Sequence, residues 1–226
     1  MRFSSEHIAT FVAILFHLCG VIGILFTPYR NWFIQNTPLN LCLMAVLLAW
    51  NANGKFISFL LFLLLSFTVG MGVEIAGVQT GWLFGHYWYG DLLGTKYAGV
   101  PLLIGINWFV IVYCSGSCIL QMQNWIHRKF ETEKVMTARL AAISFVADGA
   151  ILAVFFDWLM EPVAMKLGFW SWQNREVPLY NYLCWFCISA VLLAVSRFFS
   201  FSRANHFAVH LFIIQTLFFL TLRMYL

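Results

Sequence analysis

The chain has 226 residues, of which 62% are hydrophobic and 10% charged, with a mean hydropathy of +0.83. A soluble domain carries roughly 45–50% apolar and about 25% charged residues, so water is excluded as the main solvent of this fold. The net charge of +4 comes from basic residues spread among connecting segments rather than along one stripe, so it says little about nucleic acid, and no nucleic-acid partner is expected.

A helix needs about 20 apolar residues to cross the hydrocarbon core of a bilayer. Seven candidate runs answer to that criterion, at 8–27, 38–52, 56–76, 98–121, 137–160, 179–198 and 206–224. The expected fold class is therefore all-α, a polytopic transmembrane bundle of about seven helices forming a single domain over 1–226. The first run lacks a small-residue cleavage pattern before Pro28 and reads as a retained helix rather than a signal peptide. The second run is short, and a tilted or partly re-entrant helix starting at Pro38 would fit it.

With the N-terminus inside, Arg2, Lys55, Arg128, Lys129, Lys134, Arg139, Arg197 and Arg203 fall on the cytoplasmic side, against Arg30, Lys96, Lys166, Arg175 and Arg223 outside. The excess favours a cytoplasmic N-terminus. In either orientation the connections after the third and fifth helices share a face. The connection over 121–137 is mixed in charge and reads as a solvated, partly helical segment.

An internal parallel repeat is visible over 56–121 and 137–198. Glu74 ends the third helix and is followed by Gly85-His-Tyr-Trp-Tyr89 and Val100-Pro101. Glu161 ends the fifth and is followed by Gly168-Phe-Trp-Ser-Trp172 and Val177-Pro178. Such a repeat sets two acids across a shared cavity.

Ionisable side chains inside apolar helices are expensive and point to function. Glu74, Asp148, Asp157 and Glu161 are of this kind. Asp157 and Glu161 are four residues apart on one helical face, just before Pro162, which is expected to end the helix. Close carboxyls hinder each other's ionisation, so one pair can supply both an acid and a base. The plainer reading pairs these acids with Lys166 or Arg175. Asp148 lies on the opposite face and is expected to bond a neighbouring helix.

Trp82, Phe84, Tyr87, Trp88, Tyr89, Trp170 and Trp172 crowd the same segments, either as an interfacial belt or as the wall of a binding site. Asn107 and Asn181, near two helix starts, could orient water or bond across helices. No metal-binding set is read. Cys184 and Cys187 form a CxxC, but with no His or further Cys pair beside them the six cysteines read as small buried hydrophobes. His17 and His210 do not form a matched pair for haem or quinone, and the last helix has no lysine for a retinal Schiff base.

Two blocks are specific. The first is Glu74-x-x-Gly77-x-x-Thr80-Gly81-x-x-Phe84-Gly85-x-Tyr87-x-Tyr89, with Gly99-Val100-Pro101 and Trp108. The second is Asp157-x-x-x-Glu161-Pro162, Gly168-x-Trp170-x-Trp172, Val177-Pro178-x-x-Asn181 and Trp185. Together they resemble the carotenoid biosynthesis membrane-protein family that contains the carotenoid hydratases acting on bacterioruberin precursors and γ-carotene. The chain departs from the family pattern at Glu161, where that pattern has Asp before the proline, and at Val177-Pro178, where it has a Gly-Ile-Pro-like entry.

The resemblance implies addition of water across the terminal double bond of an acyclic (ψ) carotenoid end, giving a tertiary alcohol without a redox cofactor. It implies an apolar carotenoid, water and membrane lipid as the molecules met, with other carotenoid-pathway membrane enzymes as neighbours, in a bacterial or archaeal cytoplasmic membrane. Glu74, Asp157 and Glu161 are the expected acid and base groups. Thr80, Phe84, Tyr87, Tyr89, Trp108, Trp170, Trp172, Asn107 and Asn181 are the expected substrate-facing residues. A cyclase would use the same protonation, and a non-catalytic carotenoid or lipid carrier could use the same cavity.

Overall fold

The computed structural model describes residues 4–130 and 137–226, so Arg2, Lys134 and the middle of the 121–137 connection lie outside the described residues. In lipid every backbone amide must find its partner within the protein, which leaves helices as the economical solution for apolar runs of this length. The helices are α1 (Ser5–Phe26), α2 (Arg30–Gln35), α3 (Thr37–Trp50), α4 (Phe56–Thr80), α5 (Leu102–Phe130), α6 (Ala138–Leu167), α7 (Leu179–Ser196) and α8 (His206–Tyr225). Six of them are long and apolar enough to cross a membrane.

The second expected crossing is the exception. It is the 14-residue α3, about 21 Å long at 1.5 Å per residue, against a hydrocarbon core of roughly 30 Å. It packs against the turn at Asp91–Leu93, and the chain leaves its C-terminal end for Gly54, which bridges to Phe201. Pro38 stands in its first turn, where the missing N–H costs nothing.

Side-chain caps start three helices: Ser4 on α1, Thr137 on α6 and Asn205 on α8 each accept a backbone N–H of the first turn. α4 and α6 both stop at a left-handed glycine. Gly81 (φ 68°) and Gly168 (φ 79°) close the last turns and send the chain into the two aromatic segments.

α5 is the centre of the bundle. It packs on α3, α4, α6, α7 and α8, while α1 packs chiefly on α8. From Trp108 to Ser117 α5 is buried throughout. It runs on to Phe130, so the expected partly helical connection is, in its described first half, simply the end of α5, with His127, Arg128 and Lys129 in the last turn.

Pro162 does not end its helix. α6 continues five residues further, to Leu167. A proline inside a helix deprives the carbonyl four residues earlier of its donor. Here that carbonyl belongs to Trp158, and Arg223 of α8 donates to it from Nη1 at 3.1 Å, which lets the helix run on. Glu161 and Glu74 therefore lie inside helices, not at their ends.

The small amount of sheet was not expected. β1 (Tyr87–Tyr89) pairs antiparallel with β4 (Trp170–Trp172), in the register Tyr87 with Trp172, Trp88 with Ser171 and Tyr89 with Trp170. Gly90 N–H to Phe169 O (2.8 Å) and Gln173 N–H to His86 O (2.9 Å) extend the pairing at both ends. A second two-stranded piece, β2 (Lys96–Tyr97) with β3 (Val100–Pro101), leads into α5. The segments after α4 and α6 thus share one side of the bundle and are hydrogen-bonded to each other.

Candidate active site

Alternate residues of a strand point the same way, so the sequences Tyr-Trp-Tyr and Trp-Ser-Trp each present two rings inward and one side chain outward. Tyr87, Tyr89, Trp170 and Trp172 are buried, whereas Trp88 is 54% exposed. The belt and binding-site readings are therefore both right, for different residues: Trp82, 83% exposed, and Trp88 face outward, and the other rings face the bundle.

Each strand serves the acid of the helix before it. Tyr87 and Tyr89 donate their hydroxyls to Glu74 Oε2 at 2.6 and 2.8 Å. Trp170 and Trp172 donate their indole N–H groups to Glu161 Oε2 at 2.8 and 2.9 Å. A third indole, Trp108 on α5, donates to Glu74 Oε1 at 2.9 Å. Burial, and then the Glu74 carboxylate, push both phenols well above the ordinary tyrosine range, so they remain O–H donors.

Asp157, one turn before Glu161 and on the same face, is 1% exposed. Its Oδ2 accepts from Asn181 Nδ2 at 3.1 Å, while its Oδ1 is buried and has no hydrogen-bond partner among the described residues. A buried carboxyl oxygen without a protein donor is costly and calls for a reason, of which a place at a reactive site is one. Among the described residues no cation pairs with Glu74, Asp157 or Glu161, and Lys166 and Arg175 do not bridge to them.

The three acids meet at one cavity of about 20 Å3. That is room for a water or two and no more. Phe84, Tyr87, Tyr89, Asn107, Trp108, Trp170, Trp172 and Asn181, all expected at the site, line it with the acids. Trp108 lies flat against Trp185 of α7, with ring centroids 3.8 Å apart, and Tyr87 leans on Trp172 at 4.9 Å.

Some expectations fail. Thr80 does not reach the cavity: it is exposed at the end of α4, donating to Ala76 O at 2.6 Å and accepting from Trp82 N–H at 3.1 Å. Asp148 does not bond a neighbouring helix directly. Its partner is Ser144, one turn back on α6, and the link to α5 runs through Ser144, to which Gln123 donates at 3.2 Å. Of the cysteines only Cys114 is fully buried; Cys19, Cys42 and Cys187 lie on the outer surface, and Cys118 and Cys184 are half-buried.

Two lining residues, Ile104 and Met160, carry no signal in the sequence, and a third, Trp185, belongs to the second block without having been expected at the site. Trp185 had a signal: it stands four residues after Asn181, so the two share a helical face, just as Asp157 and Glu161 do.

The family described as carotenoid biosynthesis protein matches residues 36–226 of this chain. Bisanhydrobacterioruberin hydratase of Haloarcula japonica is 28% identical over 138 residues, which cover 59% of this chain and 43% of that protein. The match thus spans less than half the length of this relative. No solved structure matches.

Proposed function

The chain belongs to the carotenoid biosynthesis protein family, and from that membership we propose that it hydrates the terminal double bond of an acyclic carotenoid end group. The observation that carries the reading is that Asp157, whose buried Oδ1 has no hydrogen-bond partner among the described residues, lines a water-sized cavity together with two other carboxyls that are each held by aromatic donors.

In this reading Asp157 gives its proton to the CH carbon of the terminal alkene. The π bond supplies the electron pair for the new C–H bond and leaves a tertiary cation on the carbon bearing two methyls. The stacked indole of Trp185 and the rings of Tyr87 and Trp172 present π faces to that cation. Water, oriented by Asn107 and a carboxyl, forms the C–O bond. The oxonium then loses its proton to the carboxyl cluster, which restores Asp157. One water is consumed, and nothing is oxidised or reduced, so no redox cofactor enters this scheme. Preorganised donors around a developing charge are the main source of rate in such sites.

The cavity is too small for an isoprenoid end, so entry of the substrate must displace lining side chains. The polyene remains in the apolar part of the bundle or lipid while its end reaches the polar loops. The proposed location is a cytoplasmic membrane with the N-terminus inside, supported by the distribution of basic residues.

The test is expression in a host that makes lycopene or γ-carotene, with the pigments analysed by mass. A product heavier by one water per modified end supports the reading. A ring-closed product of unchanged mass would assign cyclisation instead. Unaltered pigment from membranes that contain the protein overturns both.

A further inference from the structure

Pro162 creates a defect in the turn of α6 that carries Asp157 and Glu161. It has no N–H to offer Trp158 O, and in a membrane-spanning helix a carbonyl without a donor is costly and invites a bend. Arg223, in the last turn of α8, reaches this point. Its Nη1 donates to Trp158 O at 3.1 Å, and its guanidinium lies over the Trp158 ring, 3.9 Å from the ring centroid. Trp158 stands between the two acids in sequence and, 45% exposed, on the outer side of the helix from them. The same guanidinium thus fills the hydrogen bond that proline removed and clamps the side chain beside it.

We infer that Arg223 is a positioning residue for the Asp157 and Glu161 carboxyls, acting from outside the cavity by replacing the helix hydrogen bond missing at Pro162. The inference rests on the hydratase reading for its kinetic readout. The need for Arg223 exists only because residue 162 is proline. A guanidinium donates in its plane and stacks flat on the indole at the same time, whereas an ammonium keeps the hydrogen bond that Pro162 calls for but not the flat stack.

The experiment is a double-mutant cycle on the full-length protein in proteoliposomes, with Arg223→Leu, Arg223→Lys, Pro162→Ala and Pro162→Ala/Arg223→Leu. Arg223→Leu should lower kcat by about tenfold or more with little change in KM, because small misplacements of a reacting group cost rate steeply. Arg223→Lys should keep most of the activity. Pro162→Ala should stay near wild type. The double variant should recover to within about twofold of Pro162→Ala, since the backbone N–H that alanine restores at this position serves Trp158 O itself.

A second readout needs no turnover. The chain contains two Trp-Leu peptides, at 82–83 and 158–159, so labelling tryptophan carbonyl carbon and leucine nitrogen isolates the Trp158 carbonyl resonance after assignment by substitution. It should shift in Arg223→Leu and return in the double variant. Unchanged kcat in Arg223→Leu, a double variant no better than Arg223→Leu, or an unmoved resonance each overturns the inference. If wild-type protein forms no hydrated product, the hydratase reading falls, and the carbonyl resonance alone decides the role of Arg223.

Discussion

Trp108 and Trp185 stack with their planes 11° apart, and the first of them is also the indole that donates to Glu74. Both rings line the cavity, and Trp108 is in addition tied to an acid. If Trp185 stabilises a cation, its π face is what counts. Trp185→Phe should retain more activity than Trp185→Leu, and the leucine variant should lose about 1–2 kcal/mol of transition-state stabilisation, read as kcat/KM on a carotenoid substrate.

Asp157→Asn keeps the shape of the side chain and removes its proton. As the proposed acid, Asp157 should be the most sensitive of the three carboxyl positions, with kcat falling by about 10^2- to 10^4-fold. Adding Glu161→Gln to Asp157→Asn should cost much less than the product of the single effects, because the two groups work as a unit. Single-turnover measurements on reconstituted protein would show this. Equal, independent losses would argue against a shared proton.

The two phenols on Glu74 predict an alkaline effect of definite sign. Their folded pKa values lie above the unfolded value near 10, so the folded state holds those protons more tightly. Stability is unaffected below about pH 10 and falls as pH rises beyond it, where the unfolded phenols ionise and the folded ones do not. Melting temperature measured against pH in detergent should show this decline, and the Tyr87→Phe/Tyr89→Phe double variant should flatten it. At neutral pH the same variant should be less stable by about 1–3 kcal/mol, the cost of leaving a buried acceptor without its donors.

Two glycines of α4, two residues apart, should respond in opposite ways. A Cβ at Gly70 would stand 2.6–2.7 Å from three atoms of Trp108, a ring already fixed by its stack on Trp185, whereas a Cβ at Gly72 meets nothing within 4 Å. Gly70→Ala should destabilise by about 1–3 kcal/mol and lower activity by displacing the indole from Glu74. Gly72→Ala should be neutral or stabilising by up to about 1 kcal/mol. Thermal melts and turnover of the two variants side by side decide the matter.

The spans of α1 and α4 to α8 follow from hydropathy because lipid leaves an apolar chain no other way to satisfy its backbone. The shared face of Asp157 and Glu161, and the common side of the two aromatic segments, follow from helical geometry and from counting crossings. The partners of the acids were another matter. Nothing near Glu74 in sequence announces Trp108, and the donors in β1 and β4 become visible only if Tyr-Trp-Tyr and Trp-Ser-Trp are read with a period of two, over runs too short to declare themselves as strands. Pro162 misled for a related reason: the group that lets α6 continue is Arg223, supplied by another helix. Thr80 lay close to the acid in sequence but nearly two helical turns beyond Glu74 in space.

The register of β1 against β4 has a consequence for anyone recombining this chain with its relatives. Each strand feeds donors to the acid of its own helix, yet its rings rest on those of the other strand, Tyr87 on Trp172 and Tyr89 edge-on to Trp170. Residues 81–90 and 168–173 are therefore one heritable unit written in two places. A chimera that imports one of them alone inherits mismatched halves of a single wall, so crossover points belong outside both, and a substitution in one strand calls for its counterpart in the other.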